Sequence, residues 1–168
     1  MWWSERWPGV LRLAALIAVS LLAACGFRLQ GAGGYPASMA STYIDAQDHY
    51  TLFYRELHVA LERGGVTLVA SPVAADTIVR IERDYTGQKV LTVSARNVPT
   101  EYDVFYTVSY SVWMGGKEIK PSHTLTLNQD YTYDETRVLG KKREEEALRE
   151  AIVTDLVRQV SYELSRLQ

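Results

Sequence analysis

The chain of 168 residues holds a single cysteine, Cys25, so no intrachain disulfide can form. It has no surplus of either charge: 18 Lys and Arg face 20 Asp and Glu, a formal net charge of −2. Without a basic field it is a poor candidate for nucleic acid, and any anionic ligand must be met by local cations. The sequence shows no internal repeat, no low-complexity tract, no Gly-rich phosphate loop and no metal-spaced cluster. The histidines His49, His58 and His123 are scattered. His58 falls on the polar face of a predicted helix, where a solvated role outweighs metal ligation. Ser122 and His123 are neighbours, but neighbours on a strand point to opposite faces, so they make no nucleophile–base pair. Carboxylates in the predicted strands alternate outward, as on a solvated face. The expectation is a non-enzyme with no catalytic residue, no cofactor and no metal.

The apolar run at the N-terminus is also short. Leu13 to Ala24 is apolar apart from Ser20, behind a segment carrying Arg6, Arg12 and Glu5. A bilayer core needs about 20 residues, so this reads as a signal peptide and not as a membrane span. The junction Leu22-Ala23-Ala24-Cys25 resembles a bacterial lipobox. That resemblance implies cleavage before Cys25, a diacylglycerol on its sulfur and an acyl chain on its new amine. Several chains make a stable anchor, since each buried CH₂ is worth about 0.8 kcal/mol. The plainer alternative is a cysteine that happens to follow an ordinary signal sequence. Junction, run length and uniqueness of the thiol favour lipidation. In an oxidising periplasm a lone free thiol is a liability that lipidation removes. Gly26 follows the cysteine where Asp resembles an inner-membrane retention signal, so the outer membrane is the expected destination.

Removing residues 1–24 leaves 144, with 16 basic and 19 acidic residues, a formal charge of about −3. That suffices for one domain with its own core. Three of the four Trp leave with the signal, and the 11 Tyr fall mostly in apparent strands. The predicted organisation is a signal peptide over 1–24, a flexible tether over 25–39 and a single domain over 40–168. Gly31, Gly33, Gly34 and Pro36 oppose regular structure in the tether.

Within the domain, Tyr43 to Ala46 reads as a strand, with Asp45 and Asp48 where a helix should begin. Phe53, Leu57, Ala60 and Leu61 give a helical stripe that stops at Gly64-Gly65. Val66 to Val69 is a short extended piece before Pro72. Thr77 to Tyr85 alternates, Gly87-Gln88 offers a bend, and Lys89 to Ala95 continues extended. Arg96-Asn97-Val98-Pro99 reads as a turn. Tyr102, Val104, Tyr106, Val108, Tyr110 and Val112 share one face of a long strand, opposite Asp103, Thr107, Ser109 and Ser111. Gly115-Gly116 is a hairpin turn, and Ser122 to Tyr133 returns as a strand. Ala147, Leu148, Ala151, Ile152, Leu156, Val160, Leu164 and Leu167 stripe a final helix. Lys141, Lys142 and Arg143 ill suit a helix start, so that helix is expected just after them. The fold class is α+β, two helices packed on one face of a mainly antiparallel (mixed) four-stranded sheet. The features left over are cations at bends: Arg96 in one turn, and Lys141, Lys142 and Arg143 before the last helix. Loop cations reach phosphates well, though most such charges only solubilise.

From Cys25 onward the chain resembles the LptE family, lipopolysaccharide-assembly lipoproteins of Gram-negative outer membranes. The resemblance rests on Cys25-Gly26-Phe27-Arg28-Leu29, on Pro36 with a Met39 to Ile44 strand, and on a Leu57 to Val66 helix ending in Gly-Val. Arg96-Asn97 followed by Glu101-Tyr102, and Lys141 before an acid-rich amphipathic helix, complete the ordered set. Val98-Pro99 departs from the Gly-type turn expected in the family. The resemblance implies a protein that sits as a plug inside the LptD β-barrel, helps it assemble and binds lipopolysaccharide for insertion into the outer leaflet. It would be lipid-anchored to the outer membrane through Cys25, on the periplasmic side and within the barrel lumen. The positions matching the family's basic residues are Arg96 and Lys141, which would meet the phosphates of lipid A. The competing readings are a lipoprotein adaptor of another envelope complex, without lipopolysaccharide, and a lipid-anchored hydrolase lacking any visible nucleophile–base pair.

Overall fold

The alternation of apolar and polar residues from Tyr102 to Val112 organises the whole domain. In the computed structural model, which describes residues 34–132 and 138–167, this stretch lies in β4 (Pro99–Met114). Val104, Val108, Tyr110 and Val112 are fully buried and Tyr106 nearly so. β4 pairs antiparallel on one side with β3 (Thr77–Val93) and on the other with β5 (Lys117–Thr132). β1 (Ser41–Ala46) joins β3 in parallel, and β2 (Thr67–Leu68) joins β1 in parallel. The sheet is therefore mixed and five-stranded, in the order β2-β1-β3-β4-β5. The expected count of four is corrected by β2, a two-residue strand too short for any periodic pattern. It falls within the extended piece Val66 to Val69.

The two helices, α1 (Leu52–Arg63) and α2 (Val138–Leu164), meet each other, and α2 packs on β4 and β5. α1 begins at Thr51 and not at Asp45 or Asp48. Thr51 Oγ1 accepts the Tyr54 N–H at 3.2 Å, a side-chain cap. Asp48 accepts from Tyr50 N–H one turn earlier, and Asp45 lies in β1, paired with Arg80 at 2.8 Å. The helix closes with the Val66 N–H on the Leu61 carbonyl at 3.1 Å, burying both side chains. Phe53, Leu57 and Leu61 face the core.

α2 starts before the three cations, so Lys141, Lys142 and Arg143 lie inside it and not ahead of it. Positive charge near a helix N-terminus costs only about 0.3–1 kcal/mol per residue. Burying six aliphatic side chains further along outweighs that. The buried stripe is Ile152, Val153, Leu156, Val157, Val160 and Leu164. Ala147 and Ala151, expected on it, are exposed, while Val153 and Val157 take their place.

The expected tether also ends earlier than residue 39. Ala37–Met39 form a 3₁₀ turn, and Met39 is fully buried in the core. At Gly87 the expected bend does not occur, because β3 runs straight through. A Cβ there would stand 2.7 Å from Phe105 Cζ, so glycine makes room for the ring of the opposite residue. Gly115 and Gly116 both have positive φ, 56° and 78°, and form the two-residue turn between β4 and β5. Pro121 is accommodated because β5 is an edge strand with a register irregularity opposite Tyr110 and Val112.

Candidate functional site

Arg96 sits at the tip of the β3–β4 hairpin. The loop is closed by the Ser94 N–H on the Val98 carbonyl at 2.7 Å and the Asn97 N–H on the Ser94 carbonyl at 2.9 Å. Asn97 takes φ 60°, so asparagine fills the left-handed position that a Gly-type turn would use. Val98-Pro99 therefore follows the turn and opens β4. Arg96 is exposed and makes no ion pair with any described residue. Lys141 lies in the first turn of α2; its side chain falls outside the described residues, as does Cys25. Lys142 and Arg143 are exposed on the same helix.

Strand register brings the two cationic segments to one end of the sheet. Thr132, the last residue of β5, pairs with Glu101 near the start of β4. Glu144 and Leu148 of α2 line a depression together with Glu101, Asp130, Tyr131 and Thr132. The start of α2 thus lies over the sheet end that carries the Ser94–Val98 loop. The sequence gives no sign of this depression, which three separate segments assemble. Glu101, Asp130 and Glu144 make the depression acidic.

The face of the sheet away from the helices is polar and tied together. Thr107 and Thr126 share a hydrogen bond at 2.9 Å, Ser109 and Thr124 one at 2.8 Å, and Asn128 donates to Asp103 at 2.9 Å. Ser111 and Ser122 both donate to Glu82, holding its carboxyl below the usual range. These groups read in the sequence as a solvated face. Asp103, Thr107, Ser109 and Ser111 are instead buried by their neighbours across the strands. Arg80 lies over Trp113, 5.5 Å from the ring centre, and Lys89 over Phe105 at 4.8 Å.

On the helix side, two core tyrosines each end on a carboxylate. Tyr106 donates to Asp84 at 2.6 Å, and Thr51 donates to the other oxygen of Asp84. Burial raises the Asp84 carboxyl despite both bonds. Tyr110 donates to Glu163 Oε2 at 2.6 Å, and Lys120 Nζ reaches the same oxygen at 2.8 Å. Burial pushes Glu163 up, but the bonds from Lys120 and Tyr110 outweigh it and hold the carboxyl below its ordinary value. Burial, reinforced by the carboxylates, drives both phenols up. Of the histidines, His49 stacks on Tyr54, His58 pairs with Glu62 at 3.5 Å on the polar side of α1, and His123 approaches Glu163 at 3.8 Å. Among the described residues no three His, Cys, Asp or Glu side chains group as metal ligands.

This fold is shared with solved bacterial lipoproteins. The crystal structure of the rare lipoprotein B from Shewanella oneidensis superposes with a TM-score of 0.64 at 21% identity, over 74% of this chain and 93% of that one. The solution structure of lipoprotein B from Nitrosomonas europaea gives 0.68 at 20% identity, over 80% and 87%. The class is that of a small α+β domain with two helices on a mixed sheet. The sequence assigns it more closely: residues 39–164 match the LptE, lipopolysaccharide-assembly family, and the chain belongs to that family. Relatives bearing the name LPS-assembly lipoprotein LptE include one from Yersinia enterocolitica, 26% identical over 84% of this chain and 68% of its own length. Another, from Yersinia pestis, is 26% identical over 90% and 75%.

Proposed function

We propose that this protein is an outer-membrane lipoprotein, anchored through Cys25, that binds lipopolysaccharide and serves as plug and assembly partner of the LptD β-barrel. It performs no catalysis. Its work is to present an anion-binding rim while its body fills a polar lumen. The observation that carries the reading is the family match over residues 39–164, joined to the placing of Arg96 and the Lys141 segment at one end of the sheet. The polar sheet face, with its serine and threonine pairs, suits contact with the wet interior of a barrel. The tethered N-terminus would hold the domain at the membrane while the barrel encloses it.

Arg96 and Lys141 are proposed to hold the lipid A phosphates. Charge-assisted contacts of this kind are worth roughly 1.5–3 kcal/mol each. Replacing both, Arg96→Glu with Lys141→Glu, should weaken lipopolysaccharide binding about a hundredfold or more. Neither change threatens folding. Arg96 is an exposed loop residue, and an acid at position 141 suits the first turn of α2 better than a cation does. Unaltered binding by the double variant at matched salt would return both residues to the role of solvated charges.

A further inference from the structure

β1 pairs with β3 only as far as Ile81, so among the described residues the outer edge of β3 from Glu82 to Val93 carries no neighbouring strand. The distal end of that edge is aliphatic. Val90, Leu91 and Val93 are 49%, 50% and 52% exposed, three large apolar side chains within four residues. Strict strand alternation would put Leu91 and Val93 on one face and Val90 on the other. Here Val90 faces Tyr102 while Thr92 faces Glu101, so Leu91 is an extra residue and the run is bulged. The one polar member, Thr92, spends its hydroxyl on Glu101 at 2.6 Å.

Cations flank this run. Lys89 precedes it, and Arg96 follows at the hairpin tip. A soluble phosphorylated sugar would leave the aliphatic side chains in water, and a neutral hydrocarbon would leave Arg96 unused. Two register shifts, at Val90/Thr92 and Thr92/Val93, break the regular ladder that a strand from a second copy would need. An anionic headgroup carrying hydrocarbon chains satisfies both features. We propose that the Val90 to Val93 segment of β3 docks acyl chains of lipopolysaccharide while Arg96 holds a phosphate of the same molecule. This rests on the lipopolysaccharide-binding reading above and adds to it a second, apolar contact surface.

The test compares intact lipopolysaccharide with the same molecule stripped of all acyl chains, which keeps its phosphates. The variant is the triple change Val90→Thr, Leu91→Thr and Val93→Thr, since threonine keeps β-propensity at exposed strand positions. With about half of each side chain available for burial, the triple variant should bind intact lipopolysaccharide about thirtyfold more weakly. It should bind the deacylated form as the unaltered protein does. Arg96→Glu should weaken both ligands. Equal binding of intact lipopolysaccharide by the triple variant would overturn the proposal, and so would an equal loss for the deacylated form. Phosphatidylglycerol vesicles provide a third arm: binding and loss matching those for lipopolysaccharide would replace the site with general membrane adhesion. If the unaltered protein bound neither form of lipopolysaccharide, the binding reading itself would fall and the docking site with it.

Discussion

Removing the Glu163 carboxylate should loosen the attachment of α2 to the sheet by a calculable amount. One oxygen of Glu163 accepts the buried Tyr110 hydroxyl at 2.6 Å and meets Lys120 at 2.8 Å. It thereby ties the end of α2 to the central strand and to the edge strand. Hydrogen bonds to a charged group contribute about 1.5–3 kcal/mol. Both ends of the ion pair keep about a quarter of their side-chain exposure, 24% and 27%, so solvent places its share at the low end. Glu163→Ala should cost about 3 kcal/mol and lower the melting temperature by about 10 °C in a domain of this size. Glu163→Gln keeps an acceptor for Tyr110 and loses only the charge, so about 1 kcal/mol is expected. The pH dependence has a definite sign. The folded carboxyl is held below its ordinary value of 4.5, so its contribution is present above that value and is lost as pH falls through the lower, folded one. Urea unfolding at pH 7 and pH 3 should show the gap between wild type and Glu163→Gln narrowing in acid. A gap that is absent at neutral pH, or one that widens in acid, would refute the reasoning. In a double-mutant cycle, Tyr110→Phe should be coupled to Glu163→Ala, which removes the acceptor; strict additivity would show that the contact carries no energy.

Cys25→Ser should block lipobox processing and leave an uncleaved precursor, read by intact mass in the membrane fraction; an unmodified Cys25 or a different N-terminus in the wild type would contradict lipidation. Val108→Asp should cost several kcal/mol, because Val108 is fully buried in the β4 face under the helices and a carboxylate there has no partner; a urea midpoint that barely moves would mean that this face is misplaced.

How much of this was legible in the sequence depended on the range of each signal. Local and periodic signals read correctly. The Tyr102 to Val112 alternation, the Gly115-Gly116 turn and the Phe53-Leu57-Leu61 stripe lie where expected, and Arg96 lies in a turn. Failures came where a distant partner decides. Gly87 looks like a bend until the Phe105 ring from the next strand fills the space above it. The start of α2 was misjudged because local charge repels a helix start, while packing further along holds the whole helix. Ala147 and Ala151 looked apolar enough for the core, but the stripe passes through Val153 and Val157. The Tyr110–Glu163 bond spans 53 residues of sequence and has no local mark. The same holds for the candidate site. Both cations are visible in the sequence, whereas the acidic depression is assembled from β4, β5 and α2.

The proposed plug and assembly role is decided by what this protein holds in the membrane. Native purification from outer membranes, with retained proteins identified by mass and bound glycolipid assayed, puts the question directly. A large β-barrel of the LptD type should be retained in stoichiometric amount, with lipopolysaccharide bound. Recovery of a different envelope complex with neither barrel nor lipopolysaccharide would contradict that role and favour the adaptor reading.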